Sequence, residues 1–288
     1  MSGRELARPV IEIENASYTY PDGTPALRSV NIKILEGSIV AITGANGAGK
    51  STLLMLMAGL LDPQEGQVKF RGVNIKKIKH EVRRELGIVF QDPDDQLFAP
   101  TIYDDIAFGL RLLKLSEDEI RVHVQRIACE LGVEHLLNKP PYRLSGGEKR
   151  RAALATTLIL NPSILLLDEP FSDLTPQMIE QLANLIVKLK DEGKTVVFTS
   201  HDVDLVAELS DYVCVMAKGR VIAQGRPEEV LCDDDVLSRA ELKPPTAAII
   251  YRELVGSYNN GKYPIRMSEA LSMLKRLYYF TRHASTIR

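Results

Sequence analysis

Apolar positions change their spacing along the chain, and each spacing predicts a different element. In the first third, short β-rich runs alternate with turns and predict strands of a mixed sheet. After Ser51, a run rich in Leu, Met and Ala predicts a helix through about Leu60, ended by the segment 61–63. The predicted strands are residues 10–13, 16–20, 29–35 and 38–43.

The spacing becomes helical from about residue 100 to residue 160. There, apolar residues such as Ile106, Leu110 and Leu113 stand three or four positions apart, which predicts a mostly helical insertion. Beyond it, the continuous apolar runs 164–167 and 195–200 are typical of strands covered on both faces, and 176–190 predicts the helix between them. The chain therefore returns to β/α alternation after the insertion.

The segment from about residue 233 differs in composition and predicts a C-terminal appendage. The pair Pro244-Pro245 and the Asn-Asn-Gly turn at 259–261 interrupt its predicted helices, and we expect disorder over 281–288. Its apolar residues either form a dimer contact or cover the core. They include Leu242, Leu254, Leu271, Leu274, Leu277, Tyr278, Tyr279 and Phe280.

Composition narrows the class of protein without naming a function. With 36 basic and 38 acidic residues and a hydrophobic share of 45%, the chain is typical of a folded globular protein, and its net charge of −2 gives no general reason to expect nucleic acid. Its longest apolar stretch, 53–61, is shorter than the roughly 20 residues that a membrane helix needs. Three cysteines without C-x-x-C spacing suggest neither a disulfide framework nor a zinc site, so a reducing cytoplasm is expected.

Residues 44–51 match G-x-x-x-x-G-K-[ST], the pattern of a phosphate-binding loop, and they stand between a predicted strand and a predicted helix as the motif requires. The glycines let several backbone N–H groups converge on phosphate oxygens at the helix N-terminus. Lys50 would neutralise phosphate charge and Ser51 would ligate magnesium. The alternative, a glycine turn with an exposed lysine, is disfavoured by this placement. The residues assigned to the nucleotide are Gly44, Asn46, Gly47, Gly49, Lys50, Ser51 and Thr52.

Acidic residues and a histidine follow two of the later predicted strands. Asp168 and Glu169 come directly after 164–167, and His201 comes after 195–200. Ligands of α/β sheets bind at the carboxyl ends of strands, so we expect Asp168 in the magnesium shell and Glu169 to orient and polarise the attacking water. An acidic turn is the alternative for this pair. A lone His201 is more often a surface residue, but beside a phosphate loop it becomes a candidate γ-phosphate contact.

The segment 144–150, Leu-Ser-Gly-Gly-Glu-Lys-Arg, completes a set of motifs that resembles the ATPases of ABC transporters. The set comprises, in chain order, the phosphate loop, this signature, the Leu-Leu-Leu-Asp-Glu-Pro run and the strand-end histidine. Over residues 9–232 the resemblance implies an α/β P-loop NTPase of ABC type: a RecA-like core with a mixed sheet, an antiparallel β subdomain and a helical subdomain at about 100–160, followed by a small appendage at 233–288. It also implies that Gln91 is the Q-loop glutamine, assigned to catalysis and to the magnesium shell, and that Tyr20 stacks on adenine.

The signature residues Ser145, Gly146 and Gly147 precede a predicted helix and offer a hydroxyl and N–H groups as a second anion site. In the family, this site caps the γ-phosphate bound by a partner chain. The resemblance therefore implies a head-to-tail dimer, with a copy of this chain or a similar ATPase, enclosing two ATP molecules. Glu148 replaces the glutamine commonest there, which should be a mild change. Thr175 replaces an aspartate usual in the D-loop, which leaves the coupling between the two sites open.

Residues 90–98 and 101–109 are similar to segments of the ATPases of energy-coupling-factor importers, including the cobalt and nickel branch. This resemblance implies ATP hydrolysis to ADP and phosphate at the cytoplasmic face of the membrane, as a peripheral subunit. It implies that hydrolysis powers uptake of a transition metal ion or a vitamin through separate integral membrane subunits. The chain would touch neither the transported substrate nor nucleic acid. The acidic stretch within 90–98 either faces basic residues of a membrane partner or is a solvated loop.

A soluble ABC ATPase acting on DNA or ribosomes is the alternative function. Repair-type members carry a long coiled coil between the phosphate loop and the signature, and the segment between Ser51 and Leu144 is too short for one. Translation-type members usually have two ATPase modules, whereas this sequence has one. A nucleotide-sensing module without turnover is a third possibility that rests on Thr175 alone, and the presence of Glu169 and His201 argues against it.

Overall fold

The computed structural model describes residues 9–255 and 263–284, with side chains as far as residue 276. One of its two sheets is antiparallel with strand order β2-β1-β4-β5. The predicted runs 10–13 and 16–20 form one strand, because Asn15 adopts a left-handed φ of 49° and lets the register shift between Ile13 and Ala16. The strands are β1 (Pro9–Thr19), β2 (Pro25–Leu35), β4 (Glu65–Phe70) and β5 (Val73–Asn74).

The second sheet has six strands in the order β10-β9-β3-β8-β7-β6. It is parallel from β9 to β6, and β10 joins its edge in the antiparallel sense. Strands β3, β7 and β8 are buried along their whole length, as the continuous apolar runs predict for β7 and β8. The strands are β3 (Ile39–Thr43), β6 (Leu86–Val89), β7 (Ile164–Leu167), β8 (Thr195–Ser200), β9 (Tyr212–Ala217) and β10 (Arg220–Gly225).

Helix α1 (Lys50–Met57) follows β3 through the phosphate loop and is shorter than predicted. The predicted end at about Leu60 is wrong: Gly59 adopts a left-handed φ of 66°, and that conformation ends the helix before the predicted stop at 61–63. The remaining short helices of the core are α2 (Lys79–Glu85), α7 (Val203–Leu209) and α8 (Pro227–Val230).

Three helices occupy the range in which a helical insertion is predicted. Most of their buried apolar residues form a hydrophobic cluster of their own, with Ile106, Val124 and Ala152 fully buried in it, while Ala153 and Leu154 of the third helix pack into the cluster of the parallel sheet. A longer helix, α6 (Pro176–Asp191), packs on the parallel sheet and matches its prediction within one residue. The helices of the insertion are α3 (Ile102–Leu112), α4 (Glu117–Leu131) and α5 (Gly146–Leu158).

The C-terminal segment contains α9 (Asp234–Arg239), α10 (Thr246–Val255) and α11 (Met267–Ala284). Val236, Leu237 and Ala240 are buried in the same cluster as the parallel sheet. Leu242 packs partly against that cluster, whereas Leu254 and Leu271 are exposed. The prediction of disorder from residue 281 is wrong for 281–284, which continue α11. Residues 285–288 and the side chains of Leu277, Tyr278, Tyr279 and Phe280 lie outside the described residues.

Two polar contacts attach this segment to the core near the phosphate loop. The Ala45 N–H donates to the Ala240 carbonyl at 3.2 Å. The Thr246 N–H and hydroxyl donate to the Asp204 carboxylate at 2.7 and 2.5 Å. Within the described ranges, none of the helices is both long and apolar enough to span a membrane. The predicted α/β class, with a mixed sheet, an antiparallel sheet and a helical insertion, is confirmed.

Candidate functional site

The phosphate loop lies between the carboxyl end of β3 and the first turn of α1. Gly44 adopts φ 150°, and a Cβ there would overlap the Met216 carbonyl oxygen. Gly47 adopts φ 78° with nothing near its Cβ position, and Gly49 is left-handed at the N-cap of α1. Glycine is therefore required at these positions because the backbone adopts positive φ and because Gly44 lies against β9. The resulting loop conformation allows its N–H groups to face an anion.

Lys50 is buried and bends back over the loop. Its Nζ donates to the carbonyls of Gly44 and Ala45 at 2.8 and 3.2 Å and lies 3.2 Å from Glu169 Oε1. Both charged side chains are about 6% exposed, so each compensates the burial of the other. The other Glu169 oxygen lies 3.1 Å from His201 Nδ1. The structure thus brings together Lys50, Glu169 and His201, which the sequence predicts from three separate segments.

The backbone of Glu169 is held in an unusual conformation. Its φ of 43° is left-handed, which costs of order 1–3 kcal/mol for a residue other than glycine. The Glu169 N–H donates to Thr199 Oγ1 at 2.7 Å, and the same hydroxyl donates to Asp168 Oδ1 at 2.7 Å. Thr199 is fully buried, so one hydroxyl fixes both acidic residues from the neighbouring strand.

Two adjoining cavities share Ser51 and Gln91. One, of about 350 Å³, lies between Tyr20 and Glu169 along the phosphate loop, and Tyr20 is anchored there by a 3.0 Å contact between its hydroxyl and Thr52 Oγ1. The other, of about 580 Å³, is also lined by Asp168 and Gly146. Ser51, Gln91 and Asp168 supply a hydroxyl, an amide and a carboxylate to the same cavity, and such oxygen donors suit Mg²⁺.

The signature residues form the capped N-terminus of α5 and are not part of this chain's own phosphate loop. The Ser145 N–H and hydroxyl donate to Glu148 Oε2, and the Glu148 N–H points back to the Ser145 hydroxyl. The Ser145 N–H and hydroxyl hold the pKa of Glu148 below its usual range. Gly147 packs so closely on α6 that a Cβ would overlap Met178. Ser145 and Gly147 line neither cavity described above.

Thr175 caps the N-terminus of α6. Its hydroxyl accepts a hydrogen bond from the Met178 N–H at 3.4 Å as the N-cap of that helix. Asp173, two residues earlier, has a left-handed φ of 59° and lines the cavity that contains Asp168. Threonine can therefore cap the helix as an aspartate would at this position, but it lacks the negative charge of an aspartate.

The segment after Gln91 is tied to the helical insertion. The carboxylate of Asp94 pairs with Lys149 Nζ at 2.6 Å. Buried Asp105 accepts hydrogen bonds from the N–H groups of Phe98 and Ala99, and burial raises the pKa of its carboxyl. One carboxylate of the acidic stretch is therefore neutralised within the chain, and the loop that carries exposed Phe98 is fixed to α3.

Sequence reasoning missed two buried polar residues at this site, Thr199 and Arg150. The Arg150 guanidinium donates to the carbonyls of Glu169 and Gln91. Thr199 was detectable in principle as a hydroxyl near the end of an otherwise apolar strand. Arg150 carried a weaker signal, because an arginine on the first turns of a helix is usually exposed.

Comparisons with known proteins agree with this geometry. A family model described as ABC transporter matches residues 27–172. The energy-coupling factor transporter ATP-binding protein EcfA of Methanosphaera stadtmanae is 39% identical over 272 residues, which cover 92% of this chain and 98% of the relative. A longer relative from Methanosarcina mazei is 42% identical, and the match spans 55% of its length.

Two solved structures share the fold. CbiO1 from Clostridium perfringens, described as part of the ABC transporter complex cbiONQ, is 41% identical with a TM-score of 0.69, covering 80% of this chain and 94% of its own. A dimeric ATP-binding cassette in a post-hydrolysis state, bound to ADP and Pi, is 30% identical with a TM-score of 0.69, covering 75% of this chain and 98% of its own. The chain belongs to the ABC transporter family as an ATP-binding subunit of the energy-coupling-factor type, and it is an ATPase coupled to transport.

Proposed function

We propose that this chain hydrolyses ATP to power import of a transition metal ion, such as cobalt or nickel, or of a vitamin. The transported substrate passes through separate integral membrane subunits, and this chain binds them peripherally at the cytoplasmic face of the membrane without touching the substrate. The convergence of the phosphate loop, Gln91, Asp168, Glu169 and His201 at the carboxyl edge of the parallel sheet carries the proposal. The relatives named for energy-coupling-factor transport support the importer branch.

The loop residues Gly44, Asn46, Gly47, Gly49, Lys50, Ser51 and Thr52 bind the phosphates of ATP in this proposal, and Tyr20 stacks on the adenine. Ser51, Gln91 and Asp168 hold Mg²⁺, which when bound neutralises phosphate charge. The cavity that these three residues share supports the assignment. ATP binding moves Lys50 from the Glu169 carboxylate to phosphate oxygens, which leaves Glu169 free to accept a proton from the attacking water.

His201 contacts the γ-phosphate in this proposal, and it lines a cavity together with the loop residues Ala45 and Asn46. Its Nδ1 lies beside Glu169, and its side chain is 59% exposed, so the ring can move between the carboxylate and a phosphate. No covalent step is assigned to the protein, because phosphoryl transfer depends on positioning and charge stabilisation.

We further propose that Ser145, Gly146 and Gly147 cap the γ-phosphate held by a partner chain, so that two chains enclose two ATP molecules head to tail. Their position at the N-terminus of α5 supports this assignment. The partner is a second copy or a similar ATPase. The core module is residues 9–232, and the segment 233–288 contributes a dimer contact, with exposed Leu254 and Leu271 as its apolar residues.

The hydrolytic part is tested with Glu169→Gln. We expect turnover to fall to near background while ATP binding is retained or tightened, because the neutral amide no longer competes for Lys50. Phosphate release and binding of a fluorescent ATP analogue measure the two effects, and the analogue is needed because the chain contains no tryptophan. Wild-type turnover no faster than that of Glu169→Gln would refute catalysis by this residue.

The transport part is tested by purifying the tagged chain from its own membranes in mild detergent. Stoichiometric small integral membrane proteins in the mass spectrum are expected, and their identity then directs tests with metal ions and vitamins. Recovery only in the soluble fraction, with ribosomes or DNA, would refute the importer assignment and favour the soluble ATPase.

A further inference from the structure

Arg150 is a buried charge at the junction of three functional segments. It lies on α5, four residues after Gly146, and is 8% exposed. One guanidinium nitrogen donates to the Glu169 carbonyl at 2.5 Å, and another donates to the Gln91 carbonyl at 3.1 Å. A single planar group therefore connects the signature helix with the acidic loop after β7 and the loop after β6.

Arg150 contacts Glu169, a residue whose backbone is strained by its left-handed φ. Glu169 has a left-handed φ, and Arg150 supplies the donor for its carbonyl. Thr199 binds the Glu169 N–H from the other side. With both backbone groups bound, the surrounding structure maintains a conformation that costs energy by itself.

Burial lowers the pKa of the Arg150 guanidinium, while Asp173, Glu169 and Asp92 favour its charged form. Placing a cation here is costly, and a neutral side chain of the same length would fill the space. The forked geometry explains the choice of residue, because the planar guanidinium presents its donors in fixed directions, whereas a lysine ammonium is a single rotatable charge on a flexible stem.

We propose that Arg150 is a positioning residue for hydrolysis, which holds the Glu169 and Gln91 backbones in register with the signature helix. The proposal rests on the catalytic roles proposed above for Glu169 and Gln91. A displacement of α5 would be transmitted through Arg150 to both of these residues. The state of the signature, which faces the partner's nucleotide in the dimer, is thereby coupled to this chain's own catalytic carboxylate.

The test compares Arg150→Met and Arg150→Lys with the wild type. For Arg150→Met we expect kcat to fall about 10- to 100-fold, the effect of misplacing a catalytic group by a fraction of an ångström to an ångström. Binding of the fluorescent ATP analogue should change less than about threefold, since the phosphate loop is untouched. Arg150→Lys should recover part of kcat, because one carbonyl regains a charged donor. If Arg150→Met does not fold, kcat of Arg150→Lys is compared with the wild type instead.

Lys194→Met is the matched control. Lys194 also donates to a backbone carbonyl, that of Pro162, but at the opposite edge of the sheet. If Arg150 only stabilised the fold, kcat at a temperature where both variants are folded would be as high in Arg150→Met as in Lys194→Met, and that result overturns the proposal.

A double variant separates this proposal from the one on which it rests. If Arg150 acts through Glu169, single-turnover hydrolysis in Glu169→Gln is not slowed further by Arg150→Met, whereas independent losses that multiply overturn the proposed coupling to Glu169. Glu169→Gln with wild-type turnover refutes the proposed role of Glu169 and this proposal together. Low turnover in Glu169→Gln with normal turnover in Arg150→Met overturns the positioning role alone.

Discussion

Thr199→Val tests whether one buried hydroxyl organises the acidic pair. The substitution keeps the side-chain shape but removes the donor to Asp168 and the acceptor for the Glu169 N–H. Loss of a hydrogen bond to a charged group costs about 1.5–3 kcal/mol, and an unsatisfied buried N–H costs about 1–3 kcal/mol. We therefore expect the free energy of unfolding to fall by about 2.5–6 kcal/mol, which lowers the melting temperature by roughly 5–12 °C.

Thermal unfolding followed by circular dichroism measures this effect, and steady-state phosphate release measures its consequence for hydrolysis. Thr199→Ser is the control, since it keeps the hydroxyl and loses one methyl group, worth about 1 kcal/mol. A melting temperature for Thr199→Val within about 2 °C of the wild type would show that this hydroxyl does not fix the acidic pair. Equal losses in the two variants would assign the effect to packing instead.

Three further predictions concern the loop, the signature and the C-terminal segment. Gly44→Ala should abolish binding of the fluorescent ATP analogue, because its Cβ overlaps the Met216 carbonyl, whereas Gly23→Ala, also left-handed but in open space, should bind normally and lose only about 1 kcal/mol of stability. The hydrogen bonds from Ser145 make the pKa of Glu148 lower in the folded than in the unfolded protein, so the stability that this carboxylate contributes is present at neutral pH and is lost as the pH falls through the lowered folded value. The stability difference between wild type and Glu148→Gln, measured by urea unfolding, should therefore be full at neutral pH and shrink progressively on acidification. Asp204→Ala should speed hydrogen exchange at the Thr246 and Ala45 amides, and unchanged exchange at both would mean that Asp204 does not attach this segment to the phosphate loop.

Local sequence predicted the elements whose determinants are themselves local. Strands β7 and β8 were predicted to the residue, because burial on both faces makes every position apolar and the polar residues that follow mark their ends. The phosphate loop was equally readable, since glycine spacing, Lys50 and Ser51 lie within eight residues of one another. The end of α1 lies earlier than predicted because the left-handed Gly59, and not the proline that follows it, ends the helix.

The arrangement of the site residues in space depends on contacts between segments that are distant in the sequence. Thr199 reaches Asp168 and Glu169 only because β7 and β8 are neighbours in register, and Arg150 reaches Gln91 only because α5 packs against the loop after β6. The Ala45 contact with Ala240 joins the phosphate loop to a segment that sequence alone left either as a dimer contact or as a cover for the core. Residue type and spacing determine local conformation and burial, and so they determined the motifs and the chemistry available to this protein. Which buried polar groups meet depends on strand order and helix packing across the whole chain, and only the tertiary structure decided that.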